Sequence, residues 1–105
     1  MSKARLIVSL LATLWGVSAF AGAQCEGPQR EGNTWNLNCS ADGSGDSNYQ
    51  CDYFFALTTA DGMNYDVEAS GSVAPGDSGI IIWSAIQYEN ADITSARLLR
   101  GTCIQ

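Results

Sequence analysis

Four cysteines stand at 25, 39, 51 and 103 in a chain of 105 residues that has no histidine. An even set of thiols in so short a chain is the composition of a domain stapled by disulfides, because a core of this size buries too little apolar surface to be robust unaided. The missing imidazole removes Ser-His-Asp and Cys-His catalysis and most protein zinc sites, so a non-enzymatic role is expected.

Disulfides require an oxidising compartment, and the start of the chain supplies a route to one. Lys3 and Arg5 form a basic n-region, Leu6 to Val17 an apolar h-region, and Ala21-Gly22-Ala23 an A-x-A cleavage site. Residues 1–23 therefore read as a secretory signal peptide, too short in its apolar part for a membrane span. A cut after Ala21, using Ala19-Phe20-Ala21, is the alternative. Gln24 before Cys25 is a poor residue for a lipoprotein signal, so a soluble secreted or periplasmic product is expected, a single domain over 24–105.

Beyond residue 23 the chain keeps three Arg, no Lys and all eleven carboxylates. Nucleic acid and anionic membrane demand positive surface and are poor partners for such a domain. A basic protein partner is electrostatically easier.

Apolar residues recur with period two and never with a sustained helical period, which predicts an all-β domain. Strands are expected near Thr34 to Ala41, Tyr49 to Thr59, Met63 to Val73, Gly79 to Gln87 and Ile93 to Ile104, with a short N-terminal piece. The apolar run Ile80 to Trp83 reads as a central strand, and Gly101 as an irregularity in the last. This pattern fits a small disulfide-stapled immunoglobulin-like β-sandwich, with a small β-barrel as the alternative.

Two hairpins have testable registers. If Asp42 to Asn48 joins the first pair, Cys39 faces Cys51, Leu37 faces Tyr53 and Trp35 faces Phe55, an unbroken apolar face. That register favours a Cys39–Cys51 disulfide and leaves Cys25 with Cys103; the competing pairing joins Cys25 to Cys39 and Cys51 to Cys103. The second hairpin turns at Ala60-Asp61-Gly62. A three-residue loop with Gly62 in the left-handed conformation pairs Leu57 with Tyr65, Phe55 with Val67 and Tyr53 with Ala69.

The same registers build a candidate contact surface on the opposite face: Phe54 at the centre, rimmed by Asn36, Asp52, Asp66 and Glu68. An aromatic group within a polar rim is the arrangement of an interface hot spot, and the carboxylates favour a basic partner. Other features compete. The Asp42 to Asn48 loop places oxygen-bearing side chains at alternate positions, as a calcium loop does, but lacks the bidentate Glu of an EF-hand. A small secreted hydrolase inhibitor would present that loop or Ala74 to Ser78, and Trp35, Tyr49 and Trp83 are candidate platforms for a glycan. No cofactor is called for.

From Tyr53 onward the chain resembles the small periplasmic immunoglobulin-like proteins that accompany curli secretion. The resemblance lies in Tyr53-Phe54-Phe55, the turn at Gly62, Gly71-Ser72-Val73, Pro75-Gly76, and Ala96-Arg97-Leu98 shortly before Cys103. It covers about half the chain, and the pair Cys39 and Cys51 goes beyond the family pattern. The resemblance implies a chaperone or inhibitor that binds unfolded or aggregation-prone fibre subunits by an exposed sheet face or edge.

Overall fold

Seven strands carry the chain: β1 (Ala23–Glu31), β2 (Thr34–Ala41), β3 (Tyr49–Thr59), β4 (Asn64–Val73), β5 (Ile80–Ala85), β6 (Gln87–Tyr88) and β7 (Ala91–Ile104). The computed structural model describes residues 22–105; the n- and h-regions of the predicted signal peptide lie outside the described residues. All ladders are antiparallel. They form two sheets, β1-β2-β5 and β4-β3-β7-β6, packed face to face as a β-sandwich rather than closed as a barrel.

The burial of β2 and β3 follows directly from their alternation. Leu37, Cys39 and Ala41 point into the core from β2, and Tyr49, Cys51, Tyr53, Phe55, Leu57 and Thr59 from β3. Phe55 is fully buried and meets Trp83 edge to face, with ring centroids 4.7 Å apart. The fully buried Leu37, Phe55 and Leu57 each contribute about 1.5–3 kcal/mol by leaving water. Along the two open sides of the sandwich, β1 lies against β7 and β4 against β5.

The predicted first hairpin does not form. β2 and β3 belong to different sheets, and the 42–48 connection crosses from one to the other. An apolar face specifies what is buried, not whether two such faces lie side by side or opposed; here Leu37 and Cys39 join the β3 residues in one core from the other sheet. The disulfides change with it. Cys25 bonds to Cys39 and Cys51 to Cys103, not Cys39 to Cys51 and Cys25 to Cys103. Each bridge joins directly opposed residues on neighbouring strands, β1 with β2 and β3 with β7.

The second hairpin has the expected register, with Leu57 opposite Tyr65, Phe55 opposite Val67 and Tyr53 opposite Ala69. Gly62 adopts φ 83°, and its N–H donates to the Thr59 carbonyl at 2.9 Å. This is the left-handed position that glycine occupies without steric cost.

β5 is an edge strand, not a central one. Its register against β2 shifts after Leu37, so that Ile80, Ile82 and Trp83 all pack on the core while Ile81 stays 50% exposed. The bulge, rather than cover on both faces, explains the apolar run. β1 is longer than the short piece expected. Its ladder is interrupted at Gly27-Pro28, where the proline has no N–H to donate.

Candidate functional site

The outward side chains of β3 alternate with its core residues, which puts Asp52, Phe54 and Ala56 on the outer face of the four-stranded sheet. The ladders on either side bring three rows together. Glu68, Phe54 and Arg100 lie in one row, Asp66, Ala56 and Arg97 in the next, and Ser70, Asp52 and Thr102 on the other side. Of the five predicted contact residues, Asp52, Phe54, Asp66 and Glu68 therefore share one surface.

Asn36 does not. It stands on β2 in the other sheet, is buried at 6% exposure, and donates from Nδ2 to Glu31 Oε1 at 2.8 Å. The register that places it beside Phe54 requires the β2–β3 hairpin, and those strands lie in different sheets. Its role is to satisfy a carboxylate beside the β1–β2 turn.

Arg97 and Arg100 take its place on the face. The Arg100 guanidinium sits over the Phe54 ring at 4.2 Å from the centroid, a cation–π contact that half-covers the aromatic. Strict alternation would put residues 97 and 100 on opposite faces. One extra residue in β7, between the rungs Phe54–Arg100 and Phe55–Leu98, brings them to the same face. The bulge has no sequence signal of its own, because it is defined only by the pairing of β7 with β3. The irregularity expected at Gly101 lies at Leu99 instead, and Gly101 forms a regular rung with Tyr53.

The result is a face with two poles: carboxylates along β4, guanidiniums along β7, and Phe54 and Ala56 between them. Asp52 accepts a hydrogen bond from Ser70 Oγ at 2.6 Å. Beside it, Asp52, Phe54, Arg100, Gly101 and Thr102 line a shallow depression of about 240 Å³. No residue on this face combines a buried nucleophile with a base; the arrangement suits recognition by stacking and ion pairing.

The two loops considered for an inhibitor or a calcium site lie together at one end of β2. Ala41 N–H donates to the Asp77 carbonyl at 2.9 Å and Gly76 N–H to the Asp42 carbonyl at 2.8 Å. The Asp42 carboxylate accepts from Gly22 N–H at 2.8 Å, from Ser44 N–H at 3.0 Å and from the Ser44 hydroxyl. The Ser44 hydroxyl first, then the backbone N–H of Gly22, hold its pKa below the ordinary carboxylate value. Gln105 Nε2 donates to the carbonyls of Ser44 and Ser47. Of the side chains at alternate positions, the Asp42 carboxylate and the Ser44 hydroxyl are thus already engaged with protein partners.

At the other end of β2, Arg30, Asn33, Trp35, Ile86, Asp92 and Ile93 line a cleft of about 300 Å³. Trp35 is half-buried there, and its Nε1–H donates to the Ile93 carbonyl at 3.2 Å. Trp83 is half-buried and meets Phe55 edge to face, and Tyr49 is buried with its hydroxyl at Ser44. Compared with protein-family models, with curated proteins and with solved structures, the chain matches none.

Proposed function

We propose that the chain is exported through its N-terminal signal and acts outside the cytoplasm as a non-enzymatic protein-binding domain. Its contact surface is the outer face of the four-stranded sheet centred on Phe54. The observation that carries the reading is the Glu68–Phe54–Arg100 row: an aromatic at mid-sheet, capped by a guanidinium and flanked by a carboxylate. An extended partner segment laid across β4, β3 and β7 meets negative, apolar and positive ground in turn. Basic side chains would lie over Asp66 and Glu68, and apolar ones over Phe54. The two disulfides agree with an oxidising compartment.

Subunits of curli-type fibres, aggregation-prone chains that expose such segments, are the partner class. The test is the lag time of a purified curli-type subunit in a thioflavin fluorescence assay. Wild-type protein lengthens the lag, and Phe54→Ala shortens it again while losing only about 1 kcal/mol of stability. No effect of the wild type on the lag, or equal effects of wild type and Phe54→Ala, would count against the reading.

A further inference from the structure

Two overlapping A-x-A tripeptides, 19–21 and 21–23, offer the export peptidase two cuts, and recognition of small residues alone does not choose between them. The fold distinguishes them. Gly22 and Ala23 belong to the folded domain: Ala23 pairs with Ala41 at the first rung of the β1–β2 ladder. Gly22 N lies 2.8 Å from Asp42 Oδ2, and the Gly22 carbonyl accepts from Asp42 N–H at 2.8 Å. A cut after Ala23 would delete that rung and both Gly22–Asp42 bonds, leaving the Asp42 carboxylate with the Ser44 donors.

We propose that the signal is removed after Ala21, so that the processed chain begins at Gly22 and its new α-ammonium forms an ion pair with Asp42. The proposal rests on the reading of the chain as exported. The step is a hydrolysis by a signal peptidase: water cleaves the Ala21–Gly22 amide, the carboxylate leaves on Ala21, and the Gly22 nitrogen takes up protons. An α-amino group has a pKa near 7.7–8.0, so it is mostly cationic at neutral pH. The single N–H that Gly22 offers as a peptide becomes a charged donor at the same atom, already within hydrogen-bond distance of the carboxylate. Processing thereby completes a clasp in which Asp42 ties the start of β1 to the loop at Ser44 and, through its carbonyl, to Gly76.

The full chain is expressed in a secreting host, and the exported protein is reduced, weighed intact and sequenced from its N-terminus. The expected species is Gly22 to Gln105. A chain beginning at Gln24 overturns the cut while leaving export standing; a chain found only inside the cells and still beginning at Met1 overturns the exported reading as well. The ion pair has its own test. The only lysine of the sequence is Lys3, in the signal, so the Gly22 chain carries one primary amine and acetic-ester reagents acetylate it alone. Acetylation should lower the melting temperature of the wild type by a few degrees and leave that of Asp42→Asn unmoved. No shift in the wild type, or the same shift in both proteins, overturns the pair.

Discussion

The sulfur atoms of Cys25 and Cys51 lie within 4.8 Å of each other, although they belong to different disulfides and to different sheets. Cys103 Sγ falls within the same distance of both, so the two bridges meet across the core. This proximity makes the pairing a matter of topology rather than reach, and it can be read chemically. Trypsin cleaves after Arg30, Arg97 and Arg100, which separates Cys25, the Cys39–Cys51 segment and Cys103 onto three peptides. Digestion of the denatured, unreduced protein should yield all three held in one species. A digest in which residues 31–97 run free of the other two would show the Cys39–Cys51 pairing instead. A further cut after Tyr49 then gives two separate disulfide-linked sets.

The same juxtaposition explains what the sequence could and could not reveal. The buried sets of β2 and β3, and the Gly62 turn, were readable because alternation and glycine each report local geometry. Which sheet a strand joins is a long-range choice, and Leu37 and Cys39 satisfy their apolar faces equally beside β3 or opposite it. Asn36 was misplaced by that ambiguity. Arg97 and Arg100 were missed because the bulge at Leu99 breaks the alternation that would have revealed them.

Gly101 opposes Tyr53, and a Cβ built at 101 would collide with the Tyr53 ring. That ring cannot easily retreat, since its hydroxyl accepts from the buried Cys25 N–H at 3.1 Å. Gly101→Ala should therefore cost about 1–3 kcal/mol through overpacking. Gly43→Ala, where a methyl group meets nothing within 4 Å, should change stability by less than about 0.5 kcal/mol. Urea midpoints of the two variants measure the contrast; equal midpoints would mean that Tyr53 yields.

Adjacent phenylalanines should behave oppositely. Phe55 is fully enclosed, and Phe55→Ala is expected to cost about 3–5 kcal/mol. Phe54 lies on the outer face, where its principal contact is Arg100, and a cation–π pair at such a site is worth about 0.5–1 kcal/mol. Phe54→Ala and Arg100→Ala should each cost about 1 kcal/mol in chemical denaturation. A loss at Phe54 as large as that at Phe55 would place it in the core.

Between Tyr88 and Ala91 the chain turns through Glu89 and Asn90, both with positive φ, at 50° and 65°. Two-residue turns of this kind favour Asn-Gly, and glutamate in the left-handed region is strained. Replacing the pair by Glu89→Asn with Asn90→Gly should stabilise the protein by about 0.5–1 kcal/mol. A melting temperature at or below that of the wild type would show that Glu89 earns its place by another contact.

Acid should expose two exposed carboxylates held by hydroxyl donors. Asp61 accepts from the buried Thr59 hydroxyl and from Met63 N–H, and its pKa, like that of Asp42, lies below the ordinary value, chiefly through the Thr59 bond. A carboxyl whose folded pKa is depressed stabilises the native state above its unfolded pKa, about 3.9, and ceases to do so as pH falls through the folded value. The melting temperature should thus hold from neutrality to about pH 5 and decline below about pH 4. In Asp61→Asn it should start lower at neutral pH and decline less in acid, because the neutral amide keeps an acceptor for Thr59 but lacks the charge that protonation would remove. Tyr65 acts at the other limit. Desolvation first, then the charge of Asp61, raises its pKa, so its contribution is present below about pH 10 and lost above it as the folded phenol ionises. Since Asp61 also acts on Tyr65, Asp61→Asn should lower the Tyr65 ionisation midpoint followed by phenolate absorbance, whereas Asp42→Asn should not. An unchanged midpoint in both variants would separate the two groups.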